Sequence, residues 1–238
     1  MEGLSDLANH LIRHAKRTGI TIIVAESCTA GLMSQILSDA EGAADYFHGG
    51  FVTYTKEHKT SALGVPASLL RDKGAVCGEV ARAMAEGALT NSAAGISAAI
   101  TGVAGPEPDE DGNPVGRVCV AIARRGFPIR DFEVRYGDIG RDTIRKRAVA
   151  DALLLDSVYL IRPGKIVKVG VDIRPLGQRA ANYVRGDARI RNAVSPVTQG
   201  NPAIRHVRNL ANCWQPRCGF TKCPGPREFN CRINLRGE

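Results

Sequence analysis

The segment Ile22-Ile23-Val24-Ala25-Glu26-Ser27-Cys28-Thr29-Ala30-Gly31 constrains this chain more than any other. A β-branched apolar run stops on small polar residues. Apolar residues then return at helical spacing at Leu32, Met33, Ile36 and Leu37. The pattern predicts a buried strand over residues 20–25 that turns directly into a helix from Thr29 to about Asp39. Such a turn sets the Ser27 hydroxyl beside a helix N-terminus, where unpaired backbone N–H groups favour developing negative charge. A hydroxyl nucleophile needs that setting, and an N-capping serine occupies the same place.

The rest of the first two-thirds alternates in the same way. Leu4, Leu7, Ala8, Leu11, Ile12 and Ala15 mark an opening helix. Residues 47–54 form a strand whose Gly49-Gly50 pair signals a bulge or close packing. Short helices follow at 56–63 and after Pro66, and an alanine-rich helix covers 78–90. Residues 96–101 are a buried strand and 102–114 a loop. Strands at 115–123 and 132–136 precede a long helix over 141–161. Alternation of this kind predicts a three-layer α/β/α sandwich. The sheet is expected to be mixed, because the last two strands follow one another without a helix between them.

Composition divides the chain in two. Residues 163–238 hold 14 Lys+Arg against 4 Asp+Glu, a net of +10, while the other residues hold 18 against 20, a net of −2. The tail also contains four of the seven cysteines and Trp214. The expected organisation is a folded domain over 1–162 and a basic, irregular C-terminal extension over 163–238, with a possible strand at 165–171. Cys213, Cys218, Cys223 and Cys231 lack the close paired spacing of zinc sites. A basic nucleic-acid binder, a disordered extension and out-of-frame translation of GC-rich DNA all remain open for the tail, with nucleic acid the least favoured. No run has the length of a membrane-spanning helix, and the N-terminus lacks a signal-peptide pattern. The expected location is the cytoplasm, with reduced cysteines.

Four segments carry candidate chemistry: 25–31; Tyr54-Thr55-Lys56-Glu57-His58-Lys59; Thr101-Gly102-Val103-Ala104-Gly105-Pro106 with Asn113-Pro114-Val115-Gly116; and Gly137-Asp138 through Arg141 to Arg145. A serine hydroxyl is weak at its own pKa and needs a neighbouring base. Lysine serves when burial or a nearby cation lowers its pKa. Ser27 is the expected nucleophile and Lys59 the expected base. The Tyr54 hydroxyl either relays a proton or orients the amine. Backbone N–H groups of Cys28 and Thr29 are the expected oxyanion donors, at the start of the following helix. Cys28 is a rival nucleophile, against the plainer role of a buried packing residue. Thr101, Gly102, Ala104 and Gly105 form a loop whose backbone can approach an anion, and Thr101 can also place its hydroxyl in the pocket. Glu26 either bonds a ribose or carboxamide, or caps a backbone group. Arg141 either pairs with phosphate or lies on a solvated helix face. No metal site and no cofactor are expected. His10 and His14, four residues apart on the first helix, are expected on a solvated edge.

In order and spacing these segments closely resemble the CinA C-terminal domain family, whose stand-alone members are nicotinamide-nucleotide amidases. The family's AESCTGG reads AESCTAG here, its tyrosine precedes its lysine by five residues as Tyr54 precedes Lys59, and its TGxAGP matches residues 101–106. The resemblance covers roughly residues 4–162. It implies an amidase that converts nicotinamide mononucleotide to nicotinate mononucleotide and ammonia, with a nucleotide as its small-molecule partner and a homodimer as a plausible state. The alternative is a non-catalytic nucleotide-binding module with a tail that contacts nucleic acid. Three departures bear on this. Ala30 replaces a glycine, a change the expected helix tolerates. Glu107-Pro108-Asp109-Glu110-Asp111-Gly112 replaces a glycine-rich stretch, and its charge repels an anion unless the loop points away. The molybdopterin-binding-like domain of larger family members is not seen, so its pyrophosphatase activity is not expected.

Overall fold

The computed structural model describes residues 2–161. The expected tail, with its cysteines and the strand at 165–171, lies outside the described residues. The elements run α1 (Glu2–Thr18), β1 (Ile22–Glu26), α2 (Leu32–Ser38), α3 (Ala43–Tyr46), β2 (Phe47–Val52), α4 (Lys56–Leu63), α5 (Ala67–Lys73), α6 (Gly78–Thr90), β3 (Ile96–Gly102), β4 (Arg117–Arg124), β5 (Arg130–Arg135) and α7 (Arg141–Ile161).

One five-stranded sheet has the order β2-β1-β3-β4-β5. β1 is parallel to β2 and β3, whereas β3–β4 and β4–β5 are antiparallel. The sheet is therefore mixed. Period-two alternation sends Ile22, Val24, Ala98, Ile100, Val118, Val120 and Ile122 into one core with α1, α2 and α7. It sends Ile23, Ala25, Ala99, Cys119 and Ala121 into a second core with α4, α5 and α6. A strand buried on both faces has no polar side to show, which explains the near-continuous apolar runs of β1, β3 and β4.

The topology fixes where ligands enter. β1 sits between β2 and β3: α2 and α3 lead from β1 to β2, and α4, α5 and α6, packed on the opposite face from α2, lead from β2 back across to β3. A crevice therefore opens beyond the carboxyl ends of β1 and β3, the usual site in open α/β sheets. The end of β2, the β3–β4 loop and the start of α7 all lie at that same end.

The two glycines of β2 act in both ways the sequence offered. The β1–β2 register slips between Ile22 and Ile23, which face Phe47 and Gly49 and leave His48 bulged. A Cβ on Gly50 would stand 2.2 Å from Ser34 Oγ, so α2 packs directly on that backbone. His14 is buried, not on a solvated edge, and its Nε2 lies 3.0 Å from Nε2 of His10. Among the described residues no helix is long and apolar enough to cross a membrane.

Candidate functional site

Ser27 follows β1 directly and is held on both sides by extensions of the sheet. Its N–H donates to Ile100 O at 2.9 Å, and Thr53 N donates to Glu26 O at 2.8 Å. The expected helix does not begin here. Ala30 has φ 51 and Gly31 φ 93, both left-handed, and α2 starts only at Leu32 with Gly31 as its N-cap. Ser27 is thus not a helix cap. Ala30 lies in a strained turn, not in a helix.

The N-terminus of α2 is already filled. Glu26 is fully buried, and its carboxylate accepts from Gly31 N and Met33 N at 3.1 Å and from Ser34 N and Ser34 Oγ at 2.7 Å. Capping is therefore the role its contacts describe. The charge-favouring end of the helix holds the protein's own anion and not a ligand's. The N–H groups of Cys28 and Thr29 lie in the intervening turn; among the described residues that of Thr29 has no acceptor, and that of Cys28 meets only its own sulfur. From α7, Arg145 donates to Thr29 O at 2.5 Å and fixes that turn from the other side. The Thr29 hydroxyl is buried and has no hydrogen-bond partner among the described residues.

α4 supplies the amine. Thr55 caps it, its hydroxyl accepting from His58 N at 3.1 Å, and Lys59 follows one turn into the helix. Lys59 is fully buried. Its Nζ lies 2.8 Å from Ser27 Oγ, 2.9 Å from Thr53 O and 3.3 Å from Tyr54 O. Burial pulls its pKa down to about 8, and the Lys56 ammonium adds to the shift. A neutral amine has two N–H donors and one lone pair. Here two carbonyls take the donors, and the lone pair is left for the Ser27 hydroxyl proton.

Tyr54 meets Lys59 through its backbone carbonyl. Its phenol is exposed and lies 3.4 Å from Arg141 Nη2, so the expected hydroxyl–amine contact is not formed. A β-strand end turning into α4 sends the carbonyl inward and the side chain out over the cleft. The Cys28 thiol packs in the α1–α2–α7 core, and burial pushes its pKa up to about 12. That is the packing role, since a thiolate is disfavoured there.

A cleft of about 520 Å³ opens over these groups. Thr101, Gly102, Ala104 and Gly105 line it as expected. The Thr101 hydroxyl, however, donates to Ala75 O at 2.8 Å and is engaged within the protein. The N–H groups of Ala104 and Gly105 have no acceptor among the described residues. Arg141 lines the cleft at the start of α7, and its guanidinium donates to Gly105 O. The acidic loop does not point away, since Glu107, Asp109, Glu110 and Asp111 all line the cleft. Lys56 binds Glu110 at 2.7 Å and Asp111 at 2.8 Å, and Asp111 also accepts from Ala75 N at 3.0 Å. Among the described residues no group of three His, Cys, Asp or Glu is placed to hold a metal ion.

Residues 4–158 match the CinA C-terminal domain. The chain belongs to this family. CinA-like proteins of Geobacter sulfurreducens and Geotalea daltonii are 40% and 49% identical to it, over 153 and 108 residues. These matches take in 64% and 45% of this chain but only 36% and 26% of the relatives, so the chain spans about a third or less of their length. Crystal structures agree in fold. The competence/damage inducible protein CihA of Agrobacterium tumefaciens superposes with TM-score 0.64 at 38% identity, covering 67% of this chain and 96% of that one. A CinA superfamily protein of Klebsiella pneumoniae gives 0.64 at 32%, covering 66% and 98%.

Sequence reasoning missed three parts of this CinA-family site. The carbonyls of Thr53 and Tyr54 orient the lysine, and no side-chain pattern signals a backbone acceptor. Lys56 clasps the acidic loop across 55 positions, a pairing only the fold creates. Arg145 stood in the fourth segment, but nothing in the spacing pointed to the Thr29 carbonyl.

Proposed function

We propose that this domain is a serine amidase that hydrolyses the carboxamide of nicotinamide mononucleotide to nicotinate mononucleotide and ammonia. The observation that carries the reading is the buried Lys59 amine, pulled down to about 8, at 2.8 Å from Ser27 Oγ. The reaction class rests on that pair, and the substrate rests on family membership.

Ser27 Oγ attacks the carboxamide carbon as its proton passes to Lys59 Nζ. The negative charge on the former carbonyl oxygen falls to the N–H groups of Cys28 and Thr29. Collapse breaks the C–N bond, and the Lys59 ammonium returns its proton to the leaving nitrogen, which departs as ammonia. Water, deprotonated by the same amine, then attacks the ester on Ser27, releases the carboxylate and restores the hydroxyl. Glu26 and Arg145 hold the turn so that nucleophile and donors face one point.

The test is ammonia release from nicotinamide mononucleotide by the full chain and by Ser27→Ala. Release by the parent that disappears in the variant supports the reading. Equal turnover by the variant removes Ser27 as nucleophile. Binding without turnover in the parent replaces the enzyme with a nucleotide-binding module.

A further inference from the structure

We infer, resting on the amidase reading, that Asp111 is a positioning residue for the Ser27–Lys59 pair: its carboxylate reaches across the cleft and locks the first turn of α4, which carries the base, to the 74–77 turn that backs Thr101.

Each carboxylate oxygen serves a different segment. Oδ1 accepts from Lys56 Nζ of α4 at 2.8 Å and Oδ2 from Ala75 N at 3.0 Å, across 55 and 36 positions of sequence. The backbone leaves room for this approach. A Cβ on Gly74 would stand 2.6 Å from Asp111 Oδ2, and Gly74 has φ 73, so glycine meets both demands. The loop is folded to present Asp111. One oxygen of Asp109 accepts from Asp111 N at 3.1 Å and Asn113 N at 2.7 Å, and the other accepts from Asn113 Nδ2 at 2.7 Å. Glu110 also pairs with Lys56, at 2.7 Å, but its side chain is 73% exposed, and among the described residues it makes no bond to the 74–77 turn.

Both arms of the Asp111 contact end on Ser27. On one side, Ala75 O accepts the Thr101 hydroxyl at 2.8 Å, and Ile100 O, one residue earlier, accepts Ser27 N at 2.9 Å. On the other, Lys56 and Lys59 share one turn of α4, and Lys59 Nζ reaches Ser27 Oγ at 2.8 Å. Asp111 closes this ring of contacts. The far end of α4 has its own anchors, since Asn91 Nδ2 donates to Ala62 O at 3.0 Å and Gly87 of α6 packs against Leu63 O. Its first turn, which holds the base, is tied across the cleft through Lys56. The Lys56 and Asp111 side chains are 27% and 24% exposed, so solvent screens the pair in part and it adds little to global stability. Geometry at the nucleophile is less forgiving, because a displacement of about 1 Å can cost roughly a hundredfold in rate. Loss of Asp111 should therefore fall on kcat and not on folding.

The test uses the full chain, Asp111→Ala, Lys56→Met and the double variant, with Ser27→Ala as the blank. Two rates are read on the high-pH plateau, where Lys59 is neutral throughout: ammonia release from nicotinamide mononucleotide, and labelling of Ser27 by a fluorophosphonate, which reports the activated hydroxyl without any amide. Each single variant is expected to lower kcat and the labelling rate about tenfold or more, with KM within about threefold and the urea midpoint near that of the parent. The double variant should be no slower than the slower single, because both break one link. Raising salt should slow the parent toward the variants and leave the variants unchanged. If Asp111→Ala does not fold, Lys56→Met and the salt response decide. Parent-like rates in the variants overturn the assignment, as do losses that multiply in the double variant. A rise in KM at constant kcat overturns it too, since that places Asp111 in substrate binding. Labelling that falls in the variants, with no ammonia release by the parent, upholds Asp111 and removes the amidase reading. A parent that hydrolyses the amide no faster than Asp111→Ala removes Asp111 alone. A parent with neither labelling nor release removes both.

Discussion

The Lys59 amine and the Ser27 hydroxyl meet at 2.8 Å, although 32 positions of sequence separate them. The pair forms because β1 and β2 are neighbours in the sheet and end on the same side. Ser27 follows β1, and α4 returns Lys59 over it. Both groups are buried, so the amine is held where its charged form is least favoured.

The first prediction concerns pH. A base works when it is unprotonated, so kcat/KM for amide hydrolysis should rise as pH increases through about 8 and level off above it. Lys59→Met keeps the stem and removes the base. It is expected to lower kcat/KM by about 10²–10⁴. A flat profile from pH 6 to 9, or a fully active Lys59→Met, would remove Lys59 from this role.

Glu26 should matter for folding as well as rate. Glu26→Gln keeps the shape but removes a buried charge that four donors surround, and it turns an N–H toward another N–H. The expected loss is about 2–4 kcal/mol in urea unfolding, with a fall in kcat as the turn loosens. An unchanged unfolding midpoint would show that the carboxylate does not hold α2.

Ala30 should be improvable. Its φ of 51 costs about 1–2 kcal/mol relative to glycine, part of which glycine loses again as unfolded-chain entropy. Ala30→Gly is expected to raise Tm by about 2–4 °C. A lower Tm in calorimetry would contradict the strain argument.

Asp156 makes stability depend on pH. It is fully buried, both its carboxylate oxygens lack hydrogen-bond partners among the described residues, and burial raises its pKa to about 7. A raised carboxyl pKa means the folded state binds the proton more tightly. Its contribution is fully present below the unfolded pKa and is lost as pH rises from about 4 to 7. Asp156→Asn should flatten that decline, gaining up to about 3 kcal/mol at pH 8. Parallel curves for parent and variant would count against it.

Much of the fold is legible from short-range pattern. The bounds of α4, α6 and α7 follow from local sequence, because runs of helix-compatible residues at 56–63, 78–90 and 141–161 are set off from their neighbours within a few turns. The three layers follow from strands with no polar face. The start of α2 was misplaced by three residues, because apolar spacing says nothing about two left-handed residues ahead of it. It also does not show that Glu26 reaches forward eight positions to fill the helix end.

The sequence by itself determined the α/β alternation, the serine at the end of a buried strand and the lysine on a short helix after the next strand, since each depends on neighbours within a few residues. Only the tertiary structure decided that Lys59 faces Ser27, that Tyr54 offers its carbonyl to the lysine and its phenol to Arg141, and that Lys56 ties the acidic loop to the cleft wall. Those contacts join segments 32 to 87 positions apart, or depend on which way a peptide unit faces where a strand ends. Strand order and the hand of the crossovers set them, and no local residue preference records either.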